Sequence, residues 1–371
     1  MSAPLRAAII SAGLILIVSV AMAVVVLINY GGNSVVFAHT GTLFTNRTAA
    51  VPDARVTVGY DGQFVYYIAR DGLQAAPLID GLSFRYQRIL LPAAARALSF
   101  GQAALVPWVI LIINILAHST GSGLVAYLVA GYGASGLLAG LTYGFWIGSL
   151  MIVRLDLTEG LCFTLALLAI LAYQKRHYRW TVFLLMLATL SKEIGLVFAA
   201  GLALHAFFER RRGWAILIVG APILQLLSWW GVLWMLFNEL PTRYGAARLQ
   251  WIPFRGLVLA ERPLPETLML VFWLAIPTSI LFLLAVYQIY RIRHLTLTTA
   301  LMLPAAGFVF AIPSATWFDS VAAYRVGMPI IIAGLLFMAE YYPQRIIWLA
   351  SIWLSSLSLL LLLSELWLGG A

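Results

Sequence analysis

Asp61 heads an aromatic run, Tyr60-Asp61-Gly62-Gln63-Phe64-Val65-Tyr66-Tyr67, in a chain where only 10% of residues are charged. A carboxylate held by packed aromatics suits general acid or base work, because proton transfer needs the group fixed beside the atom it serves. Placed just ahead of a helix-like run, Asp61 also suits an N-cap that accepts from the first free N–H groups. The two roles can coexist, and both stay open. Arg85 and Arg88 flank Tyr86-Gln87. Asp156 and Glu159 stand three apart at the start of an apolar run, where they would share a helical face and pair with Arg154, with Lys192 or with a divalent metal. Lys192 and Glu193 interrupt another apolar stretch, and Arg325 follows Tyr324 near the start of a further one. A preference for acids at helix starts explains each of these singly. The convergence of three separate short loops on one side of the membrane is not explained that way, since ionisable groups at membrane depth face a cavity or each other.

The elements that must position these residues are set by composition. Hydrophobic residues make up 63% of the 371, and several apolar runs reach bilayer length, so the expected class is an all-α polytopic membrane protein. The net charge of +9 is then no sign of nucleic-acid binding, because the basic residues gather in short turns between apolar runs as the positive-inside rule requires. Cys162 is the single cysteine, which excludes an intrachain disulfide and a cysteine-rich metal site. The first run, Ala7 to Tyr30, reads as an uncleaved anchor with a cytoplasmic N-terminus. Basic turns at 174–179, 209–212, 291–294 and 341–345 then fix the cytoplasmic side. About eleven spans follow from this count, within one membrane domain covering 1–371 and with the C-terminus outside.

Two longer polar stretches fall on the outer side, 31–100 and 238–267. The first holds a weak glycosylation sequon, Asn46-Arg47-Thr48, together with Asp53, Asp61, Asp71 and Asp80. It also holds an interfacial helical segment in which Arg85, Arg88 and Arg96 share one face, with Pro92 expected to kink or restart it. Such arginines either snorkel beside lipid headgroups or meet a phosphate. The second stretch carries Arg243, Arg248, Arg255 and Arg262.

Gly59-Tyr60-Asp61-Gly62-Gln63-Phe64, Arg85-Tyr86-Gln87-Arg88-Ile89-Leu90-Leu91-Pro92 and Leu190-Ser191-Lys192-Glu193 resemble the motifs of bacterial members of the GT-C superfamily of membrane glycosyltransferases. The likeness covers mainly residues 1 to about 210, with a fainter echo at Tyr324-Arg325-Val326-Gly327-Met328-Pro329. It implies a GT-C-like fold in the cell membrane and transfer of a hexosyl or pentosyl group from a polyprenyl-phosphate donor to an acceptor on the extracytoplasmic face. In that scheme Asp61 matches the first-loop acid that deprotonates or orients the acceptor. Arg325, Arg85 and Arg88 are the candidates for the lipid phosphate, and Asp156, Glu159, Lys192 and Glu193 for substrate binding, with Asp156 and Glu159 also the candidates for any metal. The sequence departs from protein mannosyltransferases in having one acid at the first motif, and from oligosaccharyltransferases in having Gly231 after Trp229-Trp230. No soluble outer domain is expected after the last span. Sugar, acceptor and metal requirement therefore stay open. The rival reading is a transporter or flippase for a lipid-linked or anionic solute. Against it stand the sparse ionisable residues in the middle of the spans and the lack of an internal repeat.

Overall fold

A computed structural model describes residues 1–45, 57–243 and 249–362. The sequon, Asp53, Arg248 and the C-terminus lie outside the described residues. The described residues are all-helical, with one isolated bridge among them, between Thr40 and Gly59. Its helices are α1 (Ala3–Asn29), α2 (Gly62–Asp71), α3 (Leu82–Tyr86), α4 (Leu90–Leu98), α5 (Val106–Ala130), α6 (Gly136–Phe145), α7 (Ile147–Arg154), α8 (Glu159–Gln174), α9 (Tyr178–Ser191), α10 (Gly195–Phe208), α11 (Arg212–Phe237), α12 (Leu264–Ile292), α13 (Leu297–Phe310), α14 (Ser320–Val326), α15 (Met328–Tyr341) and α16 (Pro343–Leu361). Shorter pieces connect them.

Five of these, α1, α5, α11, α12 and α16, are long and apolar enough to cross a membrane. The number reaches seven when α6–α7, bent by 51°, and α14–α15, bent by 42°, each count as one span. The eleven expected spans exceed this because α8, α9, α10 and α13 are apolar but run only 10–17 residues. Ile9, Leu14, Ile17, Val24 and Ile28 of α1 are exposed, as suits a helix whose outer surface meets lipid rather than water. Inside, small polar groups tie the helices together: Ser11 Oγ meets Ser122 Oγ at 2.7 Å, and Ser122 Oγ donates to Gly140 O at 2.9 Å. Such close contacts replace the hydrophobic force that lipid cannot supply between helices.

The loops fall into two sets by their contacts. In one, Gln174 donates to Tyr132 Oη, Tyr173 Oη meets His205 Nδ1, Arg211 lies over Tyr178, Glu209 faces His294, and Gln288 donates to Tyr342 Oη. These are the basic turns. The other set joins the segments around Asp61, Arg85, Glu159, Lys192, Asp319 and Arg325. Apolar helices such as α8, α9 and α10 each join a segment of one set to a segment of the other.

The segment 84–98 departs from expectation. The helical break falls at Gln87–Ile89, between α3 and α4, and Pro92 sits in the first turn of α4, where its missing N–H would have no intrahelical partner anyway. Arg85, Arg88 and Arg96 consequently do not act as one face. Arg96 turns to the carbonyls of Ala69 and Arg70, at 3.2 and 2.6 Å, while Arg85 and Arg88 turn to carboxylates.

Candidate active site

Each residue of 59–64 has a separate task. Gly59 has φ of +73°, and a Cβ there would stand 2.4 Å from Gly41 N, so both conformation and space call for glycine. Gln63, buried, clamps this turn by accepting from Gly41 N at 3.1 Å and donating to Val58 O at 3.0 Å. Tyr60 donates to Asp319 Oδ2 at 2.5 Å and places its ring 5.3 Å from the Arg325 guanidinium. Phe64 supports Arg85 from below at 4.1 Å. Gly62 lets α2 touch the α7–α8 connection, since a Cβ would lie 2.0 Å from Leu155 O. Backbone on one side and a helix start on the other leave nothing flexible to yield. Gly62→Ala is therefore expected to lower the thermal midpoint of purified protein well beyond the shift of a surface Gly→Ala, a difference that differential scanning measurements read directly.

Asp61 stands at the N-cap position of α2, yet its side chain makes no capping bond. Both oxygens go to arginine: Oδ1 accepts from Arg85 Nη1 at 2.7 Å and Oδ2 from Arg325 Nη2 at 2.5 Å. The cap role is thus not the one its side chain plays. Burial alone would push the carboxyl up, but Arg325, then Arg85, Arg88 and Lys192, outweigh it and hold Asp61 well below the usual carboxylate range. Arg85 also grips Asp80 with Nε and Nη2, both at 2.8 Å. Burial works against its charge, but the bond to Asp80 and the neighbouring Asp61 more than offset this and raise it above its ordinary value.

Arg325 continues the network by donating to Glu159 Oε1, which also accepts from Lys192 Nζ. All three are buried. Arg325 is therefore no snorkelling anchor. The break between α9 and α10 serves this contact: Ser191 Oγ donates to Thr158 O at 2.8 Å, fixing the two loops so that Lys192 reaches Glu159. Next along the chain, Glu193 is held by Arg88 through Nε at 3.1 Å and Nη2 at 2.7 Å. Phe84 lies against both Arg85 and Arg88.

Seven of the eight expected site residues thus form one connected surface, and Asp156 is the exception. It precedes α8 with φ of +50°, so it does not share a helical face with Glu159. Its Oδ1 faces Asn114 Nδ2 of α5 at 3.4 Å. The two carboxylates have different partners, Asn114 for Asp156 and two cations on Oε1 for Glu159, and one buried oxygen of each, Oδ2 and Oε2, meets no donor among the described residues. Among the described residues no three His, Cys, Asp or Glu side chains group as a metal cage would require. Tyr60, Phe64, Asp80 and Asp319 are partners the sequence reading did not single out as site residues. For Asp80, its place five residues before Arg85 in the same polar loop was an available signal; for Asp319 nothing local marked it, because its partner is 259 residues away.

A narrow cleft of about 330 Å³, counted to its open mouth, runs along this surface between Asp61, Arg85, Arg88, Glu159 and Arg325. Ile68 and Pro92 form part of its wall and also part of the wall of a second, apolar groove of about 490 Å³, lined further by Leu73, Ile89, Trp229 and Leu233. An ionic cleft and an apolar groove therefore share a boundary.

Protein-family models, curated proteins and solved structures contain no match to this chain.

Proposed function

We propose that the protein is an integral membrane glycosyltransferase of GT-C type that takes a sugar from a polyprenyl-phosphate donor on the extracytoplasmic face. The observation that carries this reading is the shared boundary between the arginine-lined cleft and the apolar groove. A donor of this class has an anionic phosphate at the junction of a sugar and a long hydrocarbon. It needs paired cationic donors beside apolar wall, and planar guanidinium groups bind phosphate oxygens in parallel. The charged lining of the cleft and the side chains paired to it comprise four cations, Arg85, Arg88, Lys192 and Arg325, against four carboxylates, Asp61, Asp80, Glu159 and Glu193.

This balance bears on mechanism. With both oxygens on arginine, Asp61 is a weak base, so it cannot deprotonate an acceptor in that arrangement. An incoming phosphodiester competes for Arg85 and Arg325, which retain Asp80 and Glu159 as counter-ions, and Asp61 is released toward the acceptor hydroxyl. The acceptor oxygen then forms a bond to the anomeric carbon as the bond from that carbon to the phosphate oxygen breaks. Asp61 takes the hydroxyl proton, and the lipid phosphate leaves with the bonding pair, its charge met by the arginines. Incubating the purified protein with a radiolabelled polyprenyl-phosphate sugar and an extract of cell-envelope acceptors tests the reading. Label moving to an acceptor supports it; counterflow of the donor without turnover would favour the transporter instead.

The groove yields a sharper expectation. Ala93 lines it, and Ala93→Trp should raise KM for a long-chain donor at least tenfold while leaving a short-chain, water-soluble analogue nearly unaffected. Equal effects on both donors would remove the groove from the binding site.

In the proposed topology the four shorter helices α8, α9, α10 and α13 complete the crossings of the membrane to eleven, with α2, α3 and α4 lying at the outer surface. Cysteines placed at the exposed positions Leu73 and Lys175 in a Cys162→Ser background should label from outside and inside the cell respectively. Labelling of both from one side would overturn the map.

A further inference from the structure

Arg262 lies just ahead of α12, and its side chain is 2% exposed. Nη1 donates to Ser320 Oγ at 2.8 Å. Glu266 Oε2 stands 3.9 Å from Nη1, beyond hydrogen-bond range, and the Glu266 side chain is half exposed. Nε and Nη2 meet no acceptor among the described residues. Those two N–H groups make up the side edge with which a guanidinium grips an oxyanion in parallel. Elsewhere among the described residues the edge is put to that use by Arg70 on Asp71, by Arg85 on Asp80 and by Arg88 on Glu193. Arg262 presents the same edge from a buried position with no carboxylate of the described residues across it. Asp319, the next acid in this region, spends Oδ1 on Val321 N and Oδ2 on the Tyr60 hydroxyl.

We infer that Arg262 is a second oxyanion receptor, taking a phosphate or carboxylate group on its Nε and Nη2 edge while Ser320, whose hydroxyl donates to Glu266, holds Nη1. The short helix α14 separates it from the ionic cleft. Ser320, at the start of α14, carries the bond to Arg262, while Arg325, five residues on, reaches Asp61 and Glu159. The receptor is a neighbour of the cleft and not a part of it, so it stands whether or not the transfer reading does. The chemistry that fits is a small anionic group: free phosphate, a carboxylate, or the headgroup of an anionic lipid.

Thermal midpoints of the purified full chain test this. The protein is titrated with inorganic phosphate and with acetate in neutral detergent, and compared in nanodiscs of phosphatidylcholine with and without phosphatidylglycerol. The midpoint of the parent should rise with at least one of these. A response to phosphate assigns a soluble phosphate group, a response to acetate a carboxylate, and a response to phosphatidylglycerol alone a lipid headgroup. Arg262→Lys keeps the charge but loses the parallel pair, so the effective concentration should increase at least tenfold. Arg262→Met should abolish the response while leaving the midpoint without ligand equal to or above that of the parent, because it removes a buried charge that lacks a full set of partners. No response to phosphate, acetate or phosphatidylglycerol overturns the assignment, as does a response that survives in Arg262→Met. Crystals grown with selenate give an answer that needs no variant: an anomalous peak within hydrogen-bond distance of Nε and Nη2 supports the receptor, and peaks confined to other sites sink it.

Discussion

Asp61→Asn is expected to lower the rate of sugar transfer by about 10²–10⁴-fold, the range for loss of a general base. The substitution keeps the size of the side chain and leaves one oxygen to accept from an arginine. Because Asp61 makes no capping bond, α2 loses no support at its start. Arg85 keeps Asp80 and Arg325 keeps Glu159, so neither arginine is left without a counter-ion. Donor affinity should then stay level or improve, since the phosphate no longer competes with a carboxylate for the same N–H groups. Initial rates together with donor binding to the purified variant separate these effects. Turnover within a few-fold of the parent would reduce Asp61 to a counter-ion and leave the transporter as the better reading.

Glu159→Gln is expected to cost about 3–5 kcal/mol of stability, the magnitude for removing one partner of a buried ion pair. Glu159 is 1% exposed, and the two cations that share its Oε1, Lys192 and Arg325, are each 6% exposed at the side chain. An amide oxygen accepts hydrogen bonds but cannot offset two positive charges. Denaturation of the detergent-solubilised protein should show the loss. Adding Lys192→Met to the Gln variant should recover part of it, because the second change deletes one of the stranded charges and the two sites are in contact. If the double variant is less stable than Glu159→Gln by the full cost of Lys192→Met alone, Lys192 and Glu159 are not energetically coupled and the contact is incidental.

The family resemblance and the proposed reaction rest on separate supports. The first lies in the residues at 59–64, 85–92 and 190–193. The second lies in the joined ionic cleft and apolar groove, which would suit an amphiphilic phosphate donor even if the motifs were disregarded.

Features that depend on local composition and charge are legible in the residues alone. An apolar helical chain is readable, and so is the set Asp61, Arg85, Arg88, Glu159, Lys192, Glu193 and Arg325 as charges that have to find partners, because charges are scarce in so apolar a chain and those present must meet. The span count was less readable: α8, α9, α10 and α13 are apolar but short, and composition does not say whether a helix of that length crosses alone. Which partner each charge takes depends on packing. Spacing alone placed Asp156 with Glu159, whereas the left-handed backbone at Asp156 sends the two carboxylates to different neighbours, Asn114 on one side and Lys192 with Arg325 on the other. Asp61 looked equally suited to a cap or a catalytic group until Arg325, 264 residues away, was seen to take one of its oxygens. A carboxylate goes to the strongest donors within reach, and which donors are in reach is a property of the packed chain.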